Sequence, residues 1–404
     1  MALFLIFLVL AQWIFSVSAT HLTNPNGPAP FRVNVTTGGL FDDLPRCSHT
    51  CSLAVLEYSG CNPADQACIC GDPEVQYRLD GCFDMYCSYP NYYAGKYFLH
   101  IACGTEVRNQ SSTLTTAAIT TAGIALIAVS LRLMTRISPF SVKWGADDWV
   151  VIGIAPVAAF QLIFILTMVY YGFGQDIYML SPTAIVNAAK FWYFSELAFV
   201  ILTFSTKIAI LCFYLRLFPT GEIRNVTYIL ISVCVTAMVS IFLAHLFQCW
   251  PLSYRWRMYL GDDALDYEIQ PMCRVDRQGL NFAFSILNLV IEVVVISLPI
   301  PRLLKLQIQW WKKIEVVSVF AFGFIITVIA ITRLSITLTA RYSSNFTYEV
   351  IPVLFWCAIE VYISIFIVCL PQVHLVGKSI AQRCFKSNRI MIDTKEKSML
   401  SYDL

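Results

Sequence analysis

Seven long apolar blocks, separated by short polar stretches, dominate the chain after residue 112. They run at about 113–134, 148–171, 191–214, 226–248, 279–300, 316–339 and 351–370. Each reaches the roughly 20 apolar residues that a helix needs to cross a hydrocarbon core. Their runs of Ile, Val and Phe suit lipid better than water. The pattern predicts seven membrane-spanning helices. A shorter apolar run, MALFLIFLVLAQWIFSVSA, opens the chain. With small residues at Val17-Ser18-Ala19 it reads as a secretory signal over 1–19. No basic residue precedes the run, which leaves an uncleaved anchor helix as the alternative. Residues 20–40, rich in Pro, Gly, Asn and Thr, read as a mobile leader. The stretch 41–104 has spacers such as SLAVLEYSG and GDPEVQYRLDG without strand alternation, so short helices are expected there. A Ser/Thr-rich linker at 105–112 leads into the spans at 113–370, and a tail follows at 371–404.

Composition agrees with the pattern. Of 404 residues, 57% are hydrophobic and 13% charged, against about 25% charged in soluble domains. The mean hydropathy is +0.65. The fold class is an all-α membrane protein, with membrane lipid as its first partner. A net charge of +2 is too small to suggest a nucleic-acid partner. Basic residues concentrate on one side of the predicted spans: Arg132, Arg136 and Lys143; Arg216 and Arg224; Arg302, Lys305, Lys312 and Lys313; and Lys378, Arg383, Lys386 and Arg389 in the tail. The other side is poorer. Its longer loop carries Arg255, Arg257, Arg274 and Arg277, balanced by Asp262, Asp263, Asp266 and Glu268. The positive-inside rule then predicts a multi-pass plasma-membrane protein with its amino terminus outside and its tail inside. In that topology Asn34 and Asn345 head external glycosylation sequons, whereas Asn225 heads one that faces inside.

Cysteine usage adds a separate module. Cys47, Cys51, Cys61, Cys68, Cys70, Cys82, Cys87 and Cys103 lie within one short stretch. So small a segment cannot bury enough core to hold itself together, and disulfides supply the missing constraint. Zinc fits less well, because the spacing contains no CxxC pairs. Connectivity stays open, since eight cysteines allow many pairings. Cys249 and Cys273 fall on the same external side and are expected to bridge the long loop.

The cysteine order, with one residue between Cys68 and Cys70 and Asp65 just ahead of them, resembles the CFEM domain of fungal extracellular membrane proteins. The membrane half resembles the fungal rhodopsin-like seven-helix domain that follows a CFEM domain in receptors of plant-pathogenic filamentous fungi. The likeness is carried by Gly145-Ala-Asp147-Asp148-Trp149, Tyr214-Leu-Arg216-Leu-Phe218, Cys249-Trp-Pro251 with Trp256, Leu298-Pro299-Ile300-Pro301 and Thr332-Arg333-Leu334. Glu292 stands where relatives are expected to carry aspartate. The resemblance implies a small disulfide-rich helical ectodomain followed by a seven-transmembrane bundle. It also implies a receptor for an unidentified external or host cue that signals through a heterotrimeric G protein. The signature residues of animal receptors are missing: the seventh block has no Asn-Pro-x-x-Tyr. In some soluble CFEM proteins the aspartate at the place of Asp65 binds haem iron, with apolar neighbours (here Phe83, Met85 and Tyr86) lining a pocket. A membrane-anchored haem-binding surface protein is therefore the alternative function, and a capping role is the alternative for Asp65.

Ionisable residues inside the spans carry the remaining information, since each costs several kcal/mol in lipid (about 3 on insertion scales) unless paired or hydrated. Depth counting pairs Lys207 with Glu292, and Arg333 with Glu196 or Glu360. Interhelical packing bridges are the bland role for these groups. Asp147 and Asp148 open the second span, where carboxylates complement the helix dipole. No lysine stands in 351–370, so a retinal pigment is not expected. The five histidines are dispersed, and no GxSxG, HExxH or phosphate loop occurs, so no enzyme is expected. No broken-helix repeat favours a transporter, and Cys384 in the basic tail is a plain thiol or a palmitoylation site.

The topology has a direct test. In intact cells an epitope after Thr20 is stained and one after Leu404 is not; staining of the tail overturns the orientation.

Overall fold

The computed structural model describes residues 44–136, 144–218, 221–260, 272–301, 310–339 and 345–370, with the backbone alone at 310–320 and at 339. The signal segment, Asn34, Cys384 and the tail lie outside the described residues. The cysteine domain is built from four helices: α1 (Arg46–Ser59), α2 (Gln66–Gly71), α3 (Pro73–Tyr86) and α4 (Tyr89–Cys103). Asp65 and Asp72 cap α2 and α3 by accepting from the amides of Cys68 and Glu74, and Pro73 sits at the first turn of α3. The helices close on Leu56, Ile69, Val75, Leu79 and Phe83. Gly95 lets α4 press on the Phe83 ring, since a Cβ there would stand 2.9 Å from that ring. Burial pushes the Tyr93 phenol above its ordinary pKa range.

Four disulfides staple this small core. Cys47–Cys87 and Cys51–Cys82 tie α1 to the end of α3, Cys61–Cys68 closes the turn into α2, and Cys70–Cys103 joins α2 to α4. The short-helix expectation holds, and the pairing that spacing left open is now set.

Among the described residues, seven helices are long and apolar enough to cross a membrane: Ser111–Met134, Ala146–Tyr170, Pro182–Leu217, Glu222–Leu246, Arg277–Ser297, Ala321–Leu338 and Phe346–Leu370. The third is 36 residues long, roughly 54 Å at the usual rise, so it outreaches the roughly 30 Å hydrocarbon core. Its most apolar window is 67% buried, whereas that of the fourth is 11% buried. The third span is therefore the hub and the fourth a peripheral, lipid-facing helix. Alanines at 117, 118, 122, 125 and 128 form the buried face of the first span, small enough for close helix approach.

The cysteine domain sits at one end of the bundle. Helix α4 contacts the short 3-10 helices Ile177–Met179 and Met258–Leu260 between the spans, and His100 approaches Tyr178. Beneath it, Arg108 donates to both oxygens of Asp176, and Asn345 donates to the same carboxylate at 2.6 Å. Gly174, at φ +107, stands against the Ser111 backbone, and its amide donates to Thr347 at 3.0 Å. These bonds tie the entry of the first span, the turn after the second and the start of the seventh. At the same end Cys249–Cys273 bridges two short antiparallel strands, Cys249–Trp250 and Met272–Cys273. This confirms the fifth bridge.

Losing a structural disulfide in a small domain costs about 2–5 kcal/mol. Cys70→Ser is expected to reduce the surface level of the protein strongly, while Cys212→Ser, which removes a free thiol, leaves it near wild type. Equal surface levels for the two would show that the Cys70–Cys103 bridge is dispensable.

Candidate functional site

At the cysteine-domain end, a cavity of about 410 Å³ opens between the spans. The second to seventh spans all contribute: Gln161, Trp192, Glu196, His245, Arg277, Phe284, Arg333 and Phe346 are among the residues that line it. Tyr89, the first residue of α4, also reaches its wall. Aromatic rings form much of the surface. Trp192 stacks on Phe346 at 5.3 Å between centroids, and Tyr259 stacks on the same Phe346 ring at 3.9 Å.

Two charge clusters border the cavity. Glu196 accepts from Arg255 at 3.0 Å and lies 3.4 Å from Arg277 Nε. The Arg277 guanidinium lies over the Trp192 ring at 3.4 Å and donates to the Tyr259 hydroxyl at 2.6 Å. Across the cavity, Arg333 donates through Nε to Glu360 at 2.6 Å and through Nη1 to Ser285 at 2.8 Å. Of the two partners expected for Arg333, the structure therefore selects Glu360. Glu196 instead takes the loop arginines, because the Cys249–Cys273 bridge and the helix Tyr254–Arg257 bring Arg255 back over the third span. The loop acids Asp262, Asp263, Asp266 and Glu268 lie outside the described residues.

From Glu360 the network runs deeper. Asn288 donates to Glu360 at 2.6 Å and accepts from Lys207 at 2.7 Å. Lys207 in turn pairs with Glu292 at 2.6 Å. Lys207 and Glu292 are each 3% exposed, so the pair foreseen from depth counting is both present and buried. The chain Arg333–Glu360–Asn288–Lys207–Glu292 thus links the sixth, seventh, fifth and third spans from the cavity into the opposite half of the bundle.

At the end away from the cysteine domain, Asp147 and Asp148 form a second buried cluster. Arg132 donates to both carboxylates, Arg136 donates to Asp148 at 2.7 Å, and Asp148 accepts from the Gly145 amide at 2.9 Å. Arg132 also donates to the Val368 carbonyl at 2.6 Å, and Arg216 lies 3.8 Å from Asp147. Capping is real here, but it does not account for the pair. The two aspartates are almost fully buried and hold the first, second, third and seventh spans together.

Near the cysteine domain the structure bears out the capping alternative for Asp65 and gives Asn345 a buried place. Asp65 accepts from the Cys68 amide at 3.1 Å as a helix cap. Phe83 is buried in the domain core, while Met85 and Tyr86 are 74% and 73% exposed, so the three side chains do not line one common pocket in this fold. Asn345 is no open glycosylation site in the fold. Its amide is buried, donates to Asp176 and accepts from Ile177 at 2.9 Å, and Thr347 is sealed against Gln175. Asn288 and His245 escaped sequence reading, since a lone Asn or His in an apolar run has no spacing signal. Arg255 escaped it because nothing local shows that the loop folds back.

The Lys207–Glu292 pair generates a double-mutant test. Replacing Lys207 with Met or Glu292 with Gln strands one charge and costs about 3–5 kcal/mol, so each single variant is expected to express poorly. The double variant recovers part of that loss; a double variant no better than the worse single one shows that the two groups do not interact.

Comparison with known proteins fits this architecture. The fungal rhodopsin domain matches residues 131–378, more than half of the chain, and the CFEM domain matches residues 40–104. The chain is 28% identical over 178 residues to Fugralins biosynthesis cluster protein 2 of Gibberella zeae, covering 43% of this chain and 42% of that protein. It is 25% identical over 218 residues to a SAT4 family membrane protein of Emericella nidulans, covering 52% of each. It is also 28% identical over 207 residues to Polyenoic acids biosynthesis gene cluster protein Ba17b of Metarhizium anisopliae, covering 50% of this chain and 54% of that protein. The chain spans about half the length of the curated relatives it matches. No solved structure matches it. With seven apolar helices carrying the motifs and a disulfide-stapled helical domain before them, the chain belongs to the fungal rhodopsin domain family and bears a CFEM domain at its amino-terminal side.

Proposed function

We propose that this protein is a fungal plasma-membrane receptor that takes up an external cue in the cavity and signals through a heterotrimeric G protein. The reading places the CFEM domain outside and the tail inside, in keeping with the basic inner loops. The observation that carries it is the continuous network from Arg333 at the cavity to Glu292 in the opposite half. A ligand that binds differently to two arrangements of such a network shifts the population between them. An anchor for a surface module has no need of a polar chain through its core, and intramembrane ionisable groups are costly to keep without a role.

On the inner face, the Asp147 cluster is the natural restraint on the third span. Arg216 is its exposed member, with its side chain 37% exposed, and it lies in the Tyr-Leu-Arg-Leu-Phe motif that closes that span. Release of Arg216 from Asp147 on activation frees the inner end of the third span to move.

The test is a cAMP or calcium readout in cells exposed to host-surface extracts, with a deletion strain as control. Wild-type cells respond and the deletion strain does not. Arg216→Gln removes an exposed ion pair worth up to about 1 kcal/mol, which shifts a two-state equilibrium by at most about fivefold. Its basal signal is therefore expected to rise by up to that factor. An unchanged response on deletion, or a basal signal unmoved in Arg216→Gln at normal surface level, contradicts the reading.

A further inference from the structure

We infer that the cavity is a binding site for a small organic acid with a flat, mostly apolar body, one carboxylate and a hydroxyl. The inference rests on the receptor reading only for the side from which the ligand arrives. A volume of about 410 Å³ lies within the range of small-molecule sites, roughly 300–1,000 Å³. Aromatic rings of Trp192, Phe199, Phe284 and Phe346 supply broad apolar faces, which favour a flat body.

The polar groups define the head of the ligand. Besides Arg277 Nε, which faces Glu196 at 3.4 Å, three lining residues carry buried atoms with no hydrogen-bond partner among the described residues: Nη2 of Arg333, both ring nitrogens of His245 and Oε1 of Gln161. These residues are 2%, 1% and 3% exposed, so solvent at the protein surface does not serve them. An unmet buried polar group costs about 1–3 kcal/mol, and an occupant that satisfies it recovers that energy. Arg333 is already fixed through Nε to Glu360 and Nη1 to Ser285, which leaves the Nη2 edge for an acceptor. The Gln161 amide nitrogen is committed to Ser195 at 3.0 Å, so its oxygen is left to receive a donor, here the hydroxyl of the ligand.

Charge selects a carboxylate over an amine. Arg255, Arg277 and Arg333 are set against Glu196 and Glu360 around the cavity, an excess of one positive charge. Asp276 also borders the cavity, but it is exposed to solvent and its carboxylate caps the fifth span through the Gly279 amide at 2.7 Å. Water screens it far more than it screens the buried groups.

The experiment uses the full chain purified in lipid nanodiscs, with hydroxynaphthoate as the probe and energy transfer from the protein's tryptophans, Trp192 in the cavity wall among them, as the readout. Its methyl ester and an aminomethylnaphthol of the same body serve as comparisons. The acid is expected to bind at least about tenfold tighter than either, the factor that one charge-assisted hydrogen bond supplies. Arg333→Lys keeps the charge opposite Glu360 but removes the free edge, and weakens the acid by about tenfold while leaving the ester unchanged. Val353→Phe, which fills the cavity from the seventh span, abolishes binding of all three without lowering thermal stability. Equal binding of acid and ester, tighter binding of the amine, no saturable binding of the acid to a folded protein, or an unaltered acid affinity in Arg333→Lys overturns the inference. Binding of the acid with no second-messenger response supports this site and counts against the receptor reading alone, so the two fail separately.

Discussion

A charge carried into a hydrocarbon interior must find a partner, and that demand organises this protein. Residues 182–217 carry Glu196, Lys207 and Arg216 on one helix: Glu196 is answered by Arg255 of the loop helix and Arg277 at the start of the fifth span, Lys207 by Glu292 further along that span, and Arg216 by Asp147 of the second. Pairing of this kind orients a helix as well as neutralising it, because a rotation or a one-turn slip would strand the charge. In lipid the apolar faces of the spans have little preference for one another over acyl chains. The polar contacts therefore set which helix lies beside which. The third span becomes the hub because it holds the most partners to satisfy.

The disulfides do at the surface what the charges do in the membrane. Within the cysteine domain they replace the core that so short a segment cannot supply. Across the long loop, Cys249–Cys273 fixes the return of the chain and so delivers Arg255 to Glu196. The site and the scaffold are thus coupled: the loop that carries Arg255 is held by a covalent bridge, and the cavity wall is completed by Tyr89 from the cysteine domain. The Arg108–Asp176–Asn345 knot fastens the linker to the bundle, so the domain sits against the cavity instead of hanging free from the first span.

Much of this was legible in the sequence where the signal is local or periodic. The seven spans followed from block length alone, and Lys207–Glu292 from depth, because opposite charges in lipid have few other solutions. What the sequence hid is non-local. Arg255 reads as a loop residue until the loop is seen to fold back, and Arg333 had two acceptable acids at similar depth, between which only the helix order decides. Asp147 and Asp148 read as caps because a helix start explains carboxylates; the arginines that bury them come from the first and third spans. Asn345 fits a glycosylation sequon perfectly in sequence, yet tertiary bonds to Asp176 and Ile177 consume its amide.

The central claim is that the polar chain from Arg333 to Glu292 acts as one unit across the bundle, and Asn288 is its middle link. Hydrogen–deuterium exchange of the full chain in lipid nanodiscs, comparing wild type with Asn288→Leu, tests this most directly. If the chain is one unit, the substitution speeds exchange around Arg333 and Glu360 on one side and around Lys207 and Glu292 on the other. Exchange altered only in the turn of helix around residue 288 would show that the pairs are independent packing bridges and would contradict the account.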